Sequence, residues 1–123
     1  MRIEDVRVTC DAPLQDVRGR IDDALRASGA LELGPVTFTD PPFGAVLDED
    51  PDVAVAASRL GETGGWAVHA YVWDRGTTRE VRLRPLGDGP ARTLWNGRRG
   101  RAQARVSRHV VDRVAASLSD VGR

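Results

Sequence analysis

Three residues with aromatic rings and polar tips alternate along the most strand-like segment of the chain. His69, Tyr71 and Trp73 are separated by small or β-branched residues, and successive side chains of a strand point to opposite faces, so the three rings share one face. Rings of this kind suit ligand walls and interfaces, because they bury area while still making a hydrogen bond. We predict a ligand or interface surface here and add Trp95 to it. Ordinary cross-strand pairing of aromatic residues is the alternative explanation.

His69 also allows an enzymatic hypothesis, because a neutral imidazole titrates near physiological pH and can act as a general acid or base. Asp74, Glu80 and Cys10 are its candidate partners. No cysteine–histidine motif surrounds Cys10, which is more typical of a small buried hydrophobic residue, and His109 falls on the polar flank of the last helix. We therefore assign no catalytic residue and keep acid–base chemistry at His69 as an alternative.

The sharpest cluster of charge lies near the C-terminus, where five arginines precede or share one face of a predicted helix: Arg98, Arg99, Arg101, Arg105 and Arg108. The free N–H groups of a helix N-terminus also attract anions. This cluster predicts anion or nucleic-acid binding as a second alternative. A pI of about 6.7 and the absence of aromatic residues among the arginines argue against nucleic acid. Arg108 and Asp112 are also spaced to pair with each other.

Metal and cofactor sites receive little support from the sequence. Two histidines and one cysteine lie too far apart in the chain for a zinc site. The acidic stretch Asp48, Glu49, Asp50 and Asp52 lacks the glycine and the distal glutamate of a calcium loop, and we interpret it as a solvated turn. We predict no metal and no cofactor.

Hydrophobic periodicity predicts a strand that ends at Cys10, followed by a first helix. Asp11 is its predicted cap and Pro13 lies in its first turn, while Gly29 ends it by adopting a left-handed conformation. The apolar positions of this helix recur at helical spacing: Leu14, Val17, Ile21, Ala24 and Leu25.

A period of two then predicts five or six strands joined by tight turns, so neighbours are antiparallel. They include residues 31–39, 66–73, 78–86 and 91–95, with short apolar segments at 44–47 and 53–59, a turn at 61–65 and a hairpin turn at 74–77. A last helix is predicted over 101–118, with Val106, Val110, Val111, Val114 and Leu118 as its buried side and arginines on the other.

These elements predict a single α+β domain over residues 1–123, in which two helices pack on one face of a curved antiparallel sheet. The order of strand, helix, strands and helix resembles that of helix-grip proteins, in which a bent sheet wraps a long C-terminal helix and can enclose an apolar cavity. It is also similar to the helix-on-sheet unit of the TATA-binding-protein class. The resemblance lies in the order of elements, and fold alone does not decide function.

Length and charge restrict the class of protein. The chain has 123 residues and a formal net charge of zero, which suits one folded domain and argues against a uniformly basic nucleic-acid binder. The net charge is zero because two opposite charges cancel: residues 1–88 carry an excess of acidic groups, and residues 89–123 carry eight arginines. No apolar run is long enough to cross a membrane, and no secretory signal precedes the first strand, so we expect a cytoplasmic protein.

The functional prediction is a non-enzymatic binding or interaction module that uses its aromatic sheet face. Its expected partner is a small apolar molecule or a second copy of the chain, since a closed dimer would cover aromatic side chains that two helices leave open. Nucleic acid remains the alternative partner, and no membrane is expected.

Overall fold

A five-stranded antiparallel sheet and two helices make up the part of the chain that the computed structural model describes, residues 5–35, 50–59, 65–86 and 97–119. The α+β prediction and its order of elements are confirmed. In chain order the elements are β1 (Val6–Cys10), α1 (Leu14–Ala27), β2 (Glu32–Pro35), β3 (Val53–Arg59), β4 (Trp66–Asp74), β5 (Arg79–Leu86) and α2 (Gly97–Ser119). The strands lie in the order β1, β5, β4, β3, β2.

The predicted hairpin at 74–77 joins β4 to β5, the longest pairing in the sheet. The Asp74 carboxylate accepts a hydrogen bond from the Gly76 N–H at 3.0 Å, and the Arg75 N–H donates to the Thr78 carbonyl at 2.8 Å. Gly76 has a φ of +91°, a conformation that glycine adopts without a steric penalty. This turn places β4 at the centre of the sheet, with β5 on one side and β3 on the other.

The core lies between the helices and one face of the sheet. Val68 and Val72 of β4 and Val17, Ile21 and Leu25 of α1 are fully buried in one hydrophobic cluster, which α2 also joins. The smaller apolar residues of β4 therefore meet the helices. His69, Tyr71 and Trp73 lie on the opposite face, as the alternation requires.

The ends of α1 show one success and one error of sequence reasoning. Asp11 does not cap the helix. The N-cap position is Pro13, which makes no side-chain cap hydrogen bond, so Asp11 lies too far from the first free N–H groups. At the other end Gly29 has a φ of +93°. Its N–H donates to Arg26 O and that of Ala30 to Leu25 O, which is a Schellman termination.

The buried side of α2 differs from the predicted one at its first position. Val106 is 39% exposed, whereas Ser107 is 0% exposed. Residues spaced by four drift by about 40° per step around a helix. Contact with the sheet therefore follows Ser107, Val110, Val111 and Val114 instead. α2 also begins earlier than predicted, at Gly97. Neither helix in the described part is long and apolar enough to span a membrane.

Several predictions fall on other parts of the chain. The predicted strand at 31–39 is described only as far as Pro35, where it forms β2. The predicted strand at 91–95, the apolar segment at 44–47, the acidic residues Asp48 and Glu49, and most of the turn at 61–65 lie outside the described residues. Asp50 and Asp52 are described, and both are exposed, as a solvated turn requires. Within the described ranges four strands follow α1, against the five or six predicted.

Candidate functional site

The face of the sheet turned away from the helices, here called the polar face, carries every side chain that alternates with the core set. From one edge to the other its central positions are Arg7 and Thr9 on β1, Glu80, Arg82 and Arg84 on β5, Ala67, His69, Tyr71 and Trp73 on β4, Ala56 and Ser58 on β3, and Glu32 and Gly34 on β2. Large charged and aromatic groups occupy the β1, β5 and β4 side. Apart from Glu32, small groups occupy the β3 and β2 side.

The large groups cover one another. Tyr71 is 0% and Trp73 3% exposed, although neither belongs to the core between sheet and helices. The Arg84 guanidinium lies 5.4 Å from the Tyr71 ring centroid, and that of Arg82 lies 5.0 Å from the Trp73 ring. A guanidinium over an aromatic face is attracted by the ring quadrupole and shields the ring from water. These two arginines therefore contribute to the burial of both rings.

Asp5 holds Arg84 in this position. Its two carboxylate oxygens accept hydrogen bonds from Nε and Nη2 of Arg84, both at 2.9 Å. The bidentate geometry is the strong form of this contact, and the Asp5 carboxylate raises the pKa of Arg84. Arg82 Nε is 4.0 Å from the same carboxylate and has no hydrogen-bond partner. Both oxygens of Asp5 therefore accept hydrogen bonds from Arg84, the arginine that covers Tyr71.

Tyr71 in turn holds His69. The Tyr71 hydroxyl oxygen lies 2.7 Å from His69 Nδ1, and the two rings meet edge to face, with centroids 5.7 Å apart and an interplanar angle of 89°. Burial, and secondarily the charge of Arg84, lowers the pKa of His69 from 6.5 to about 4. Burial raises the pKa of Tyr71. At neutral pH the pair is therefore a neutral imidazole and a protonated phenol.

Beside His69 the polar face opens into a groove with a volume of about 430 Å³. Six lining residues share this face and form two rows across three strands. One row is Glu32, Ser58 and Ala67, and the other is Gly34, Ala56 and His69. Of the remaining lining residues, Leu33 and Ala57 lie between these positions on β2 and β3, and Pro35 follows Gly34 at the end of β2.

The groove exists because its floor consists of the smallest side chains. Gly34 lies directly opposite Ala56 in the β2 and β3 register, and Ala67 lies diagonally across from Ala56 on β4. A methyl group added at Gly34 would meet no atom within 4 Å. With a strand spacing of about 4.8 Å and a rise of about 3.4 Å per residue, the two rows cover about 10 Å by 7 Å. That area accommodates one or two fused rings.

The predicted site residues have different positions. His69 lines the groove, Tyr71 supports His69 from the covered side without lining the groove, and Trp73 lies farther along β4 beneath Arg82. Trp95 lies outside the described residues. Sequence reasoning missed Gly34, Ala56, Ser58, Ala67 and Glu32. The run of small residues in β3 was a signal for Ala56 and Ser58, whereas the positions on β2 and β4 had no such signal.

The proposed partners of His69 lie elsewhere. Glu80 pairs with Arg75 at 3.0 Å and Asp74 with Arg79 at 3.1 Å. Cys10 is 2% exposed within the core, and burial raises the pKa of its thiol, so the thiolate is disfavoured. Among the described residues no group of three histidine, cysteine or acidic side chains is arranged to hold a metal ion.

The two described arginines of the cluster are separate from the groove. Arg105 and Arg108 are exposed on α2, which packs against the opposite face of the sheet. Arg108 Nε lies 3.3 Å from the Asp112 carboxylate, the helical pairing that the spacing predicted. The side chains of Arg98, Arg99 and Arg101 lie outside the described part.

No protein-family model matches the chain, and no curated protein is significantly similar to it in sequence. The chemistry of the polar face is therefore the basis for a functional proposal.

Proposed function

We propose that this chain binds a small organic molecule in the groove formed by β2, β3 and β4. One observation carries the proposal: a concave site with open space above Gly34 adjoins a buried imidazole that a hydrogen bond holds in place. The volume of about 430 Å³ lies within the range of roughly 300 to 1,000 Å³ that is typical of small-molecule sites.

The burial of the other aromatic residues shifts the expected ligand contact from the whole aromatic face to this groove. Tyr71 and Trp73 are covered within the single chain, so they present no open aromatic surface to a second copy. His69, at 8% exposure, is the member of the set that lines the groove. A ligand would therefore contact the ring of His69 and rest on the small residues beside it.

The support behind His69 favours binding by a preformed site. The contacts run from Asp5 to Arg84, from Arg84 to the Tyr71 ring, and from the Tyr71 hydroxyl to His69. Side chains that are fixed by neighbours lose little conformational entropy when a ligand binds. The groove floor adds to this, because glycine and alanine have no rotamers to order.

Acid–base catalysis by His69 is a second hypothesis, favoured by the hydroxyl group at 2.7 Å. A base with a pKa of about 4 accepts a proton weakly at neutral pH, since an effective general base has a pKa near the working pH. Binding is therefore the function that the geometry supports better. Turnover of a bound compound that stops in His69→Gln would instead support catalysis.

The test is to fill the groove without disturbing the fold. Gly34→Val adds a side chain into the open space and replaces glycine by a residue that strands prefer. Gly19→Val is the control, because Gly19 lies on the exposed side of α1 and an added methyl group there also meets nothing within 4 Å. A fragment set of neutral, cationic and anionic aromatic compounds would be screened by ligand-observed NMR against all three proteins.

We expect fragments that bind the wild type to shift the amide resonances of Gly34, Ala56 and Ala67. They should bind Gly19→Val equally well and lose binding to folded Gly34→Val. If no fragment shifts these resonances, or if bound fragments are indifferent to Gly34→Val, the proposed function is wrong.

A further inference from the structure

We propose that the groove selects a positively charged ligand: an amine or amidine attached to a flat apolar body, with its charge at Glu32. The inference rests on the proposed function and names the chemical class of its ligand. Three arguments support it, from the charges of the lining residues, from the state of the nearest arginines and from the order of groups along the groove.

Glu32 is the one lining residue among those described that carries a formal charge at neutral pH. Gly34, Ala56, Ala67 and Ser58 are uncharged, and His69 is neutral there because burial lowers its pKa to about 4. Glu32 is exposed and forms no ion pair with a described residue. The lining therefore attracts cations and repels anions.

The arginines nearest the groove do not reverse this preference. Arg84 lies opposite His69 in the β4 and β5 register, but its charge is paired with both oxygens of Asp5. Arg59, which follows Ser58 on β3, directs Nη1 to the Gly29 carbonyl at 3.2 Å. A ligand carboxylate would face Glu32, and no arginine is among the described residues that line the groove.

The order of groups along the groove gives the ligand an orientation. Glu32 lies directly opposite Ser58, and Gly34 lies directly opposite Ala56. Directly opposed side chains have Cβ atoms about 5 Å apart. The Glu32 carboxylate and the Ser58 hydroxyl can therefore both accept hydrogen bonds from one ammonium or amidinium group. The apolar body would then cross the Gly34 and Ala56 floor toward His69 at the diagonal corner.

The test uses three probes with one ring system: 2-naphthylmethylamine, 2-naphthylmethanol and 2-naphthoate. Glu32 attracts the first and repels the third. At a partly exposed site, the attraction and the repulsion each change the dissociation constant by a modest factor. Together they give an expected preference for the amine over the carboxylate of about tenfold. Dissociation constants would be measured by NMR titration at neutral pH and low ionic strength.

Glu32→Gln should reduce the preference for the amine to within about twofold, because it removes the charge and keeps the shape. Asp112→Asn is the matched control. It removes the same charge from α2, on the opposite side of the sheet, and should leave the preference unchanged. Both variants alter exposed side chains, so neither is expected to affect folding.

The outcomes separate the two proposals. If naphthoate or naphthylmethanol shifts the groove amides and binds as tightly as the amine, the charge preference is wrong while binding in the groove stands. The same holds if Glu32→Gln keeps the full preference. If none of the three probes shifts the Gly34 and Ala56 amides, the charge preference is contradicted, and the fragment screen decides separately whether the groove binds other compounds.

Discussion

The Tyr71 hydroxyl oxygen lies 2.7 Å from Nδ1 of His69, two positions back along the same strand. This contact marks the boundary between the two halves of the polar face. On one side Tyr71 is packed beneath Arg84, and on the other His69 lines the groove. The hydrogen bond therefore links the charged layer to the candidate ligand site.

Tyr71→Phe should destabilise the protein by about 1 to 3 kcal/mol, because it leaves a buried imidazole nitrogen without this partner. The ring remains to pack beneath Arg84, so the fold should persist. Urea denaturation at neutral pH measures the loss. Groove ligands should also bind less tightly, since His69 is no longer held by the hydroxyl group. A variant as stable as the wild type would show that the hydrogen bond makes no net contribution to the free energy of unfolding.

His69 makes stability depend on pH. Folding lowers its pKa from 6.5 to about 4, so between these values the unfolded chain binds the proton more readily than the folded one. The stabilising contribution is complete above pH 6.5 and is lost as the pH falls toward 4. The full loss is on the order of 3 kcal/mol.

The measurement is the free energy of unfolding at several pH values across this window, for the wild type and for His69→Asn. The two proteins share every other titratable group, so the difference between the two slopes isolates His69. Identical slopes for the wild type and His69→Asn would contradict the lowered pKa.

The sequence predicted the parts of this fold that depend on local pattern. Alternation identified β4 and β5 within one residue of their ends, and the spacing of Val17, Ile21 and Leu25 identified α1 with its buried side. Such patterns are readable because each element turns the same set of positions toward the core. The division of β4 into a face against the helices and an aromatic face followed from the same reasoning.

The groove could not be predicted in this way, because it depends on which strands are neighbours. Gly34, Ala56 and Ala67 are far apart in the chain and meet only through the pairing of β2, β3 and β4. The covering of Tyr71 by Arg84 could not be predicted for the same reason. Arg84 is held in place by Asp5, which comes from a distant segment of the chain. The prediction that Val106 faces the sheet was wrong. Val106 and Ser107 are neighbours on the helix, and hydrophobic periodicity favours the apolar residue of such a pair.

Ser107, which was not among the residues predicted to face the sheet, makes a hydrogen bond between α2 and β4. Its hydroxyl accepts a hydrogen bond from the Ala67 N–H at 3.1 Å, which joins α2 to the start of β4. Ser107→Ala should cost about 1 to 2 kcal/mol, because it leaves a partly buried backbone donor without this acceptor. Ser119→Ala is the control, since that hydroxyl is exposed on the same helix and, within the described residues, donates to the carbonyl four residues back. Equal denaturation midpoints for the two variants would contradict the prediction.

Gly29→Ala should destabilise the protein by about 1 to 2 kcal/mol, the penalty for a left-handed conformation at a residue with a side chain. Its φ is +93°, and an added methyl group would approach Arg59 Nη1 to 2.7 Å. The new group therefore also disturbs the hydrogen bond from Arg59 to the Gly29 carbonyl. Thermal and urea denaturation would measure the loss.

Two other glycines separate these effects. Gly76→Ala has the same backbone penalty, with a φ of +91°, but no atom within 4 Å of the added group, so it should cost less than Gly29→Ala. Gly19→Ala lies on the exposed side of α1 with free space around it and should stabilise the helix by about 0.5 to 1 kcal/mol. If Gly29→Ala were no more damaging than Gly76→Ala, the contact between Arg59 and the end of α1 would have no measurable role in holding β3 against the helix.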